Sequence, residues 1–246
     1  MCSKFKFYQP QQARTWLAPS WSARVSDETL TFHSDPFFAE CRAYGRISEY
    51  QKKKTRGKTP YHPKGIQGRE QHWTTKEIAV PCYGYIALPA ERYEDMLHKR
   101  FGITAWNRAE EDDKRTKDKR QPFRALVKRL VDSDSTVVHP GKMLRDLKKL
   151  RGIGIFPRDV YARNYKAGLL VDFSIAWTEP HWFLSLMKGA QLMMRKDNEL
   201  FLFDEMIEAA GIKTNVRAAP NPEYIKKLRS NASPPDSEED DDDEND

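Results

Sequence analysis

Apolar and polar positions divide the chain into several short periodic segments. Phe5 and Phe7 alternate with Lys4 and Lys6, which predicts a short strand ended by Pro10. Residues 11–32 have no clear period, and Trp16 and Trp21 are expected to pack a short helix or loop there. Ser34-Asp35-Pro36 sets a capping side chain before a proline suited to the first helical turn. The helix it starts should run to about Ile47, with Phe37, Cys41 and Tyr44 on one face and Glu40 beside them. Ile78–Leu88 is rich in β-formers around Gly84 and predicts two strand segments or one kinked strand. Phe123–Val131 is expected as a buried strand. Lys142–Leu150 sets Met143, Leu144, Leu147 and Leu150 against Arg145, Lys148 and Lys149, an amphipathic helix closed by Gly152 and Gly154. Lys166-Ala-Gly168 predicts a tight turn before the strand Leu169–Val171, and His181–Ala210 predicts one or two further helices.

Two stretches break this pattern with charge. Residues 51–77 and 91–121 are expected as charged surface inserts, the second holding a mixed-charge loop from Glu110 to Arg120. The net charge of +6 conceals a larger separation, because Asp236–Asp246 is almost wholly acidic. Such a segment has nothing to bury, so residues 230–246 are expected to be disordered. The remaining body is strongly basic and suits a polyanion: nucleotide phosphate, nucleic acid or an acidic partner. Ser233 and Ser237 are plausible phosphoacceptors. No apolar run approaches the ~20 residues of a membrane helix, and no signal-peptide core is visible. Cys2, Cys41 and Cys82 lack metal-ligand spacing, as do His62 and His72, and three free thiols suit the cytoplasm or nucleus.

The candidate chemistry lies in Gly154–Ser174. Arg158-Asp159 is followed by Asn164, and Leu169-Leu170-Val171 leads into Asp172-Phe173-Ser174. This order and spacing resemble a kinase catalytic loop followed by its metal-binding turn, with Pro157 in place of a histidine and Ser174 in place of a glycine. The segments around it fit: a helix before, a hairpin within and an acidic helical residue upstream. Glu40 corresponds to the helix glutamate that pairs with a lysine in kinases, and Lys4 or Lys6 on the first strand is the expected partner.

Glu40–Arg46, Val80–Tyr85, Arg158-Asp159, Arg163-Asn-Tyr165 and Val171–His181 together resemble a fungal family of protein-kinase-like domains that includes an inner-kinetochore subunit. The resemblance covers about residues 1–185. It implies an α+β, two-lobed kinase-like fold: a partial N-lobe over 1–131 without a glycine-rich loop, a minimal C-lobe over 132–229, then the tail. It implies a nuclear role in chromosome segregation within a kinetochore or chromatin complex. Asp159, Glu40 and Lys4 are the candidate catalytic residues. Asn164, Asp172 and Lys128 are the candidates for ATP, and Asn164 and Asp172 for Mg²⁺. The polar linker Asp132–Ser135 takes the position of the hinge that receives adenine. Three functions follow: a degenerate or weakly active kinase domain acting through binding, an active Mg-ATP phosphotransferase, or a basic protein that binds nucleic acid or chromatin.

Overall fold

The computed structural model describes residues 7–15, 17–55, 77–103, 106–131 and 138–218. The first-strand residues up to Lys6, Trp16, most of the first insert, the Asp132–Ser135 linker and the acidic tail lie outside them. Phe7 is described and is not in a strand. It donates its N–H to the Trp106 carbonyl at 2.8 Å, and Pro10 begins a helix instead of ending an element.

Three short helices open the described chain: α1 (Pro10–Arg14), α2 (Pro19–Ser22) and α3 (Asp27–Ser34). The Ser26 side chain caps α3 by accepting the Thr29 N–H. Helix α4 (Pro36–Thr55) follows directly. Asp35 caps it, accepting the Phe37 N–H at 2.9 Å, and the helix continues beyond the expected end at Ile47. Its buried face is Ala39, Glu40, Ala43, Tyr44 and Ile47.

Strands β1 (Cys82–Leu88) and β2 (Phe123–Lys128) form an antiparallel ribbon, with a bulge between Cys82 and Gly84. Helices α5 (Ala90–Phe101) and α6 (Glu110–Asp113) lie between them in sequence. The second insert is therefore largely structured. Gly102 in the left-handed conformation ends α5, and Lys99 and Arg100 fall in its last turn, where cations favour the helix dipole. Phe123 is the one buried residue of β2, because Ala90 and Leu97 of α5 and Trp106 after it cover only that end of the ribbon. The buried strand expected over 123–131 is thus a half-covered ribbon. Tyr83, Tyr85, Ile86 and Leu130 stand exposed.

Helix α7 (Pro140–Gly152) buries the four apolar residues its period predicts, together with Asp146. Then come β3 (Ile155–Phe156), β4 (Tyr165–Lys166), β5 (Leu169–Leu170), β6 (Trp177–Thr178), α8 (Trp182–Leu186) and α9 (Gly189–Ala209). β4 and β5 form a two-residue hairpin. Ala167 and Gly168 both have positive φ at its turn, which matches the right-handed twist of the strands. β3 pairs with β6.

The main core joins α4, α7, α9 and the segment from Ile155 to Ala176. It draws on residues from both sides of position 131, because α4 packs on the C-terminal half. A smaller core of Phe156, Trp177, Leu184 and Met187 lies under α8. No helix among the described residues is long and apolar enough to cross a membrane.

Candidate functional site

The site forms where α4, the ribbon and the loop after α7 converge. Residues 124, 126 and 128 alternate onto the ribbon face that meets α4. Arg124 bonds Asp35 at 2.7 Å, and Lys128 forms an ion pair with Glu40. Glu40 is 5% exposed, and a carboxylate buried that deeply needs such a partner. Lys128, expected at the cofactor, is thus a lysine that meets Glu40. Lys4, the expected partner, lies outside the described residues.

Lys128 does more than neutralise Glu40. Its Nζ donates to the Val171 carbonyl at 2.7 Å and lies 5.2 Å from the centroid of the Tyr44 ring. The Tyr44 hydroxyl reaches the same carbonyl at 3.4 Å. Burial is the main cause that holds the Tyr44 hydroxyl far above its ordinary pKa, with Glu40 adding to it. Phe173, fully buried, meets the Tyr44 ring edge-on at 5.2 Å. The residues on either side of Asp172 are therefore both fastened to α4.

The segment from Asp159 to Ser174 is closed by three polar contacts. Asn164 Nδ2 donates to the Asp159 carbonyl at 2.9 Å, and the Val171 N–H donates to the Asn164 carbonyl at 2.9 Å. Asp172 Oδ1 accepts the Ser174 N–H at 2.9 Å, a turn that a serine completes as well as a glycine would. Arg163 bonds Asp159 Oδ1 at 2.8 Å. Arg158 has φ +64 and stacks its guanidinium 3.9 Å from the Trp177 ring centroid. Burial there lowers its pKa. Backbone strain of this kind in a non-glycine residue collects at functional sites.

The structure thus brings Glu40 and Lys128 together beside Val171, and ties Asp159 and Asn164 to the residue just before Asp172. With Asn164 Nδ2 committed to the loop, Oδ1 is the amide atom suited to a hard cation. Asp172 supplies a carboxylate. Two protein oxygens with water and phosphate would suit Mg²⁺, which keeps part of its hydration. Among the described residues, no three His, Cys, Asp or Glu side chains gather as a metal cluster.

Residues 68–177 match a family of kinetochore complex subunits, described as Kinetochore Sim4 complex subunit FTA2. The match covers less than half of the chain. It takes in the ribbon, α7, Lys128, Asp159, Asn164 and Asp172, and leaves out Glu40. No curated protein and no solved structure matches the chain.

Two groupings escaped the sequence. Arg108, 1% exposed at its side chain, lies between Glu94 and Asp112 and against the rings of Phe7 and Phe123. His33 and His181 meet with ring centroids 4.6 Å apart. The Arg108 cluster could have been suspected from Arg108 and Asp112, four apart in a charged stretch. The histidine pair left no local signal.

Proposed function

We propose that this chain is a nuclear subunit of a kinetochore protein complex and works through binding. The observation that carries this reading is the match of residues 68–177 to a family of kinetochore complex subunits. The basic body, with 42 Lys and Arg against 36 Asp and Glu even with the tail included, supports a setting near nucleic acid or acidic proteins. A tagged chain in its own cells should concentrate at centromeres and co-purify with a defined complex. An even nuclear distribution with no stable partners would sink this reading.

The same proposal takes the site around Asp172 as a kinase-like nucleotide site in which phosphoryl transfer is weak or lost. The Glu40–Lys128 pair beside Val171 supports the kinase-like half of this reading. Two contacts support loss of transfer. Lys128 spends a donor on the Val171 carbonyl, and Arg163 holds the Asp159 carboxylate that would orient an attacking hydroxyl. An active Mg-ATP phosphotransferase is the second reading, favoured by the oxygen donors Asn164 and Asp172. ATP with Mg²⁺ separates the two. Weak binding gives a metal-dependent rise in melting temperature that Asp172→Ala removes, without transfer of labelled phosphate to a generic acceptor. Transfer abolished by Asp159→Asn would establish the second reading. No shift at millimolar ATP would remove nucleotide from both.

A further inference from the structure

A groove of about 700 Å³ runs between the end of α3 and the start of α8, lined by Phe32, His33, His181, Trp182, Leu184 and Leu192 among others. Several of its buried polar atoms are unmatched. His181 Nδ1 accepts the Phe183 N–H at 3.2 Å, so the imidazole proton sits on Nε2. That Nε2 is buried, and the carbonyl it faces, that of His33, already accepts from Arg42 Nη2. The indole Nε1 of Trp182 is buried without an acceptor. Arg42 gives Nη2 to the His33 carbonyl at 2.9 Å, while its Nε and Nη1 are buried and unmatched. Arg42 Nε and Nη1 and Trp182 Nε1 thus lack acceptors in one neighbourhood, and His181 Nε2 has only a shared one. Buried polar groups are nearly always satisfied, so such a cluster needs an explanation.

Charge points the same way. Arg42 has no carboxylate within ion-pair distance among the described residues. Glu179, at the groove wall, is held by Lys196 at 2.5 Å, which cancels its charge. Arg46, also in the wall, spends its guanidinium on the carbonyls of Ile153 and Glu179. Both histidines are neutral at pH 7: burial lowers His33 to about 4 and His181 to about 3. Arg46 is balanced further by Glu49 at 4.0 Å, which leaves Arg42, just behind the apolar wall, as the arginine with unused N–H groups. What separates Arg42 from the groove is Phe32. Its ring lies 4.7 Å from the Arg42 guanidinium and 4.9 Å from the His33 ring, yet the side chain is 52% exposed at the last turn of α3. An exposed side chain of this kind changes rotamer quickly and at little cost.

We propose that this groove binds an anionic oxygen group, carboxylate or phosphate, carried on an apolar ligand. Phe32 swings aside, the anion takes the donors of Arg42, His181 and Trp182, and the apolar part lies against Leu184 and Leu192. The site is separate from the Glu40–Lys128 pair and does not depend on nucleotide binding there.

The test uses the full chain labelled with ¹⁵N. Phenylacetate and phenyl phosphate are titrated at constant ionic strength, with chloride as the control. Trp182→Phe assigns the Trp182 indole signal. A saturable shift of the Trp182 indole and His181 imidazole signals is expected with at least one probe. The probe that saturates first names the source, carboxylate or phosphate. Arg42→Met should weaken that binding roughly ten- to a hundredfold, as expected for a lost hydrogen bond to a charged group. If Arg42→Met does not fold, Arg42→Lys serves in its place and should weaken binding severalfold, because the forked donor geometry is gone. Shifts no larger than those with chloride, or affinity unchanged in the arginine variant, overturn the proposal.

Discussion

Lys128 pairs with Glu40 from a strand that follows the glutamate's helix in the chain. The pair bridges α4 and the ribbon at a buried position, 5% exposed on the acid side. Removing one member takes a close counter-charge away from a buried position. Lys128→Met or Glu40→Gln alone should therefore destabilise the fold by about 3–5 kcal/mol. The double variant should recover much of that loss. Chemical denaturation of the four proteins in a mutant cycle measures the coupling. Additive losses would mean that the pair contributes nothing as a pair.

Arg108 is more deeply buried, and it carries two carboxylates and two aromatic rings at once. Arg108→Met should lower the denaturation midpoint, with a loss again of about 3–5 kcal/mol. Arg108→Lys should rescue little, because a point ammonium cannot serve two acids and stack between Phe7 and Phe123. Full rescue by lysine would reduce the cluster to simple charge balance.

Gly168 sits at φ +72, and an added Cβ would lie 2.8 Å from the Val138 carbonyl. Gly168→Ala should cost about 1–3 kcal/mol through strain and contact together. The hairpin it damages positions Asn164 and Val171. Any nucleotide-dependent thermal shift should fall in this variant even at temperatures where the protein stays folded.

The histidines set a pH dependence. Burial is the first cause that lowers His181 to about 3, and His33, Arg42 and Arg158 add to it. Burial and then Arg42 lower His33 to about 4. Both titrate near 6.5 when unfolded, so the unfolded chain binds more protons between those values. Their stability contribution is then complete above about pH 6.5 and is lost as pH falls toward 4 for His33 and toward 3 for His181. His33 is partly exposed and contributes less. His181→Gln should flatten the slope of denaturation midpoint against pH across this window. An unchanged slope would assign the acid sensitivity elsewhere.

Legibility in the sequence followed the range of the signal. The α7 pattern and the 165–170 hairpin are local, and both are found where they are expected; the Asp159–Asn164–Asp172 spacing is legible as spacing alone. Glu40 was recognised as a costly carboxylate on an apolar helix face, but its described partner was not. That partner depends on Arg124 and Lys128 sharing one face of β2, which matters only once α4 is known to lie across that face. Helix α5 was hidden by charge, although Tyr93, Leu97 and Phe101 recur at helical spacing and Gly102 closes it. The burial of β2 was overestimated because an apolar run shows what a strand could bury, not how much of it a neighbour covers. The Arg42–His181 neighbourhood joins segments far apart in the chain and has no motif at all.

The Val171 carbonyl accepts hydrogen bonds from both Tyr44 and Lys128, one on the long helix and one on the ribbon. It therefore acts as a mechanical junction. A partner that tilts the ribbon, or one that slides α4 along its axis, pulls on the peptide unit that immediately precedes Asp172.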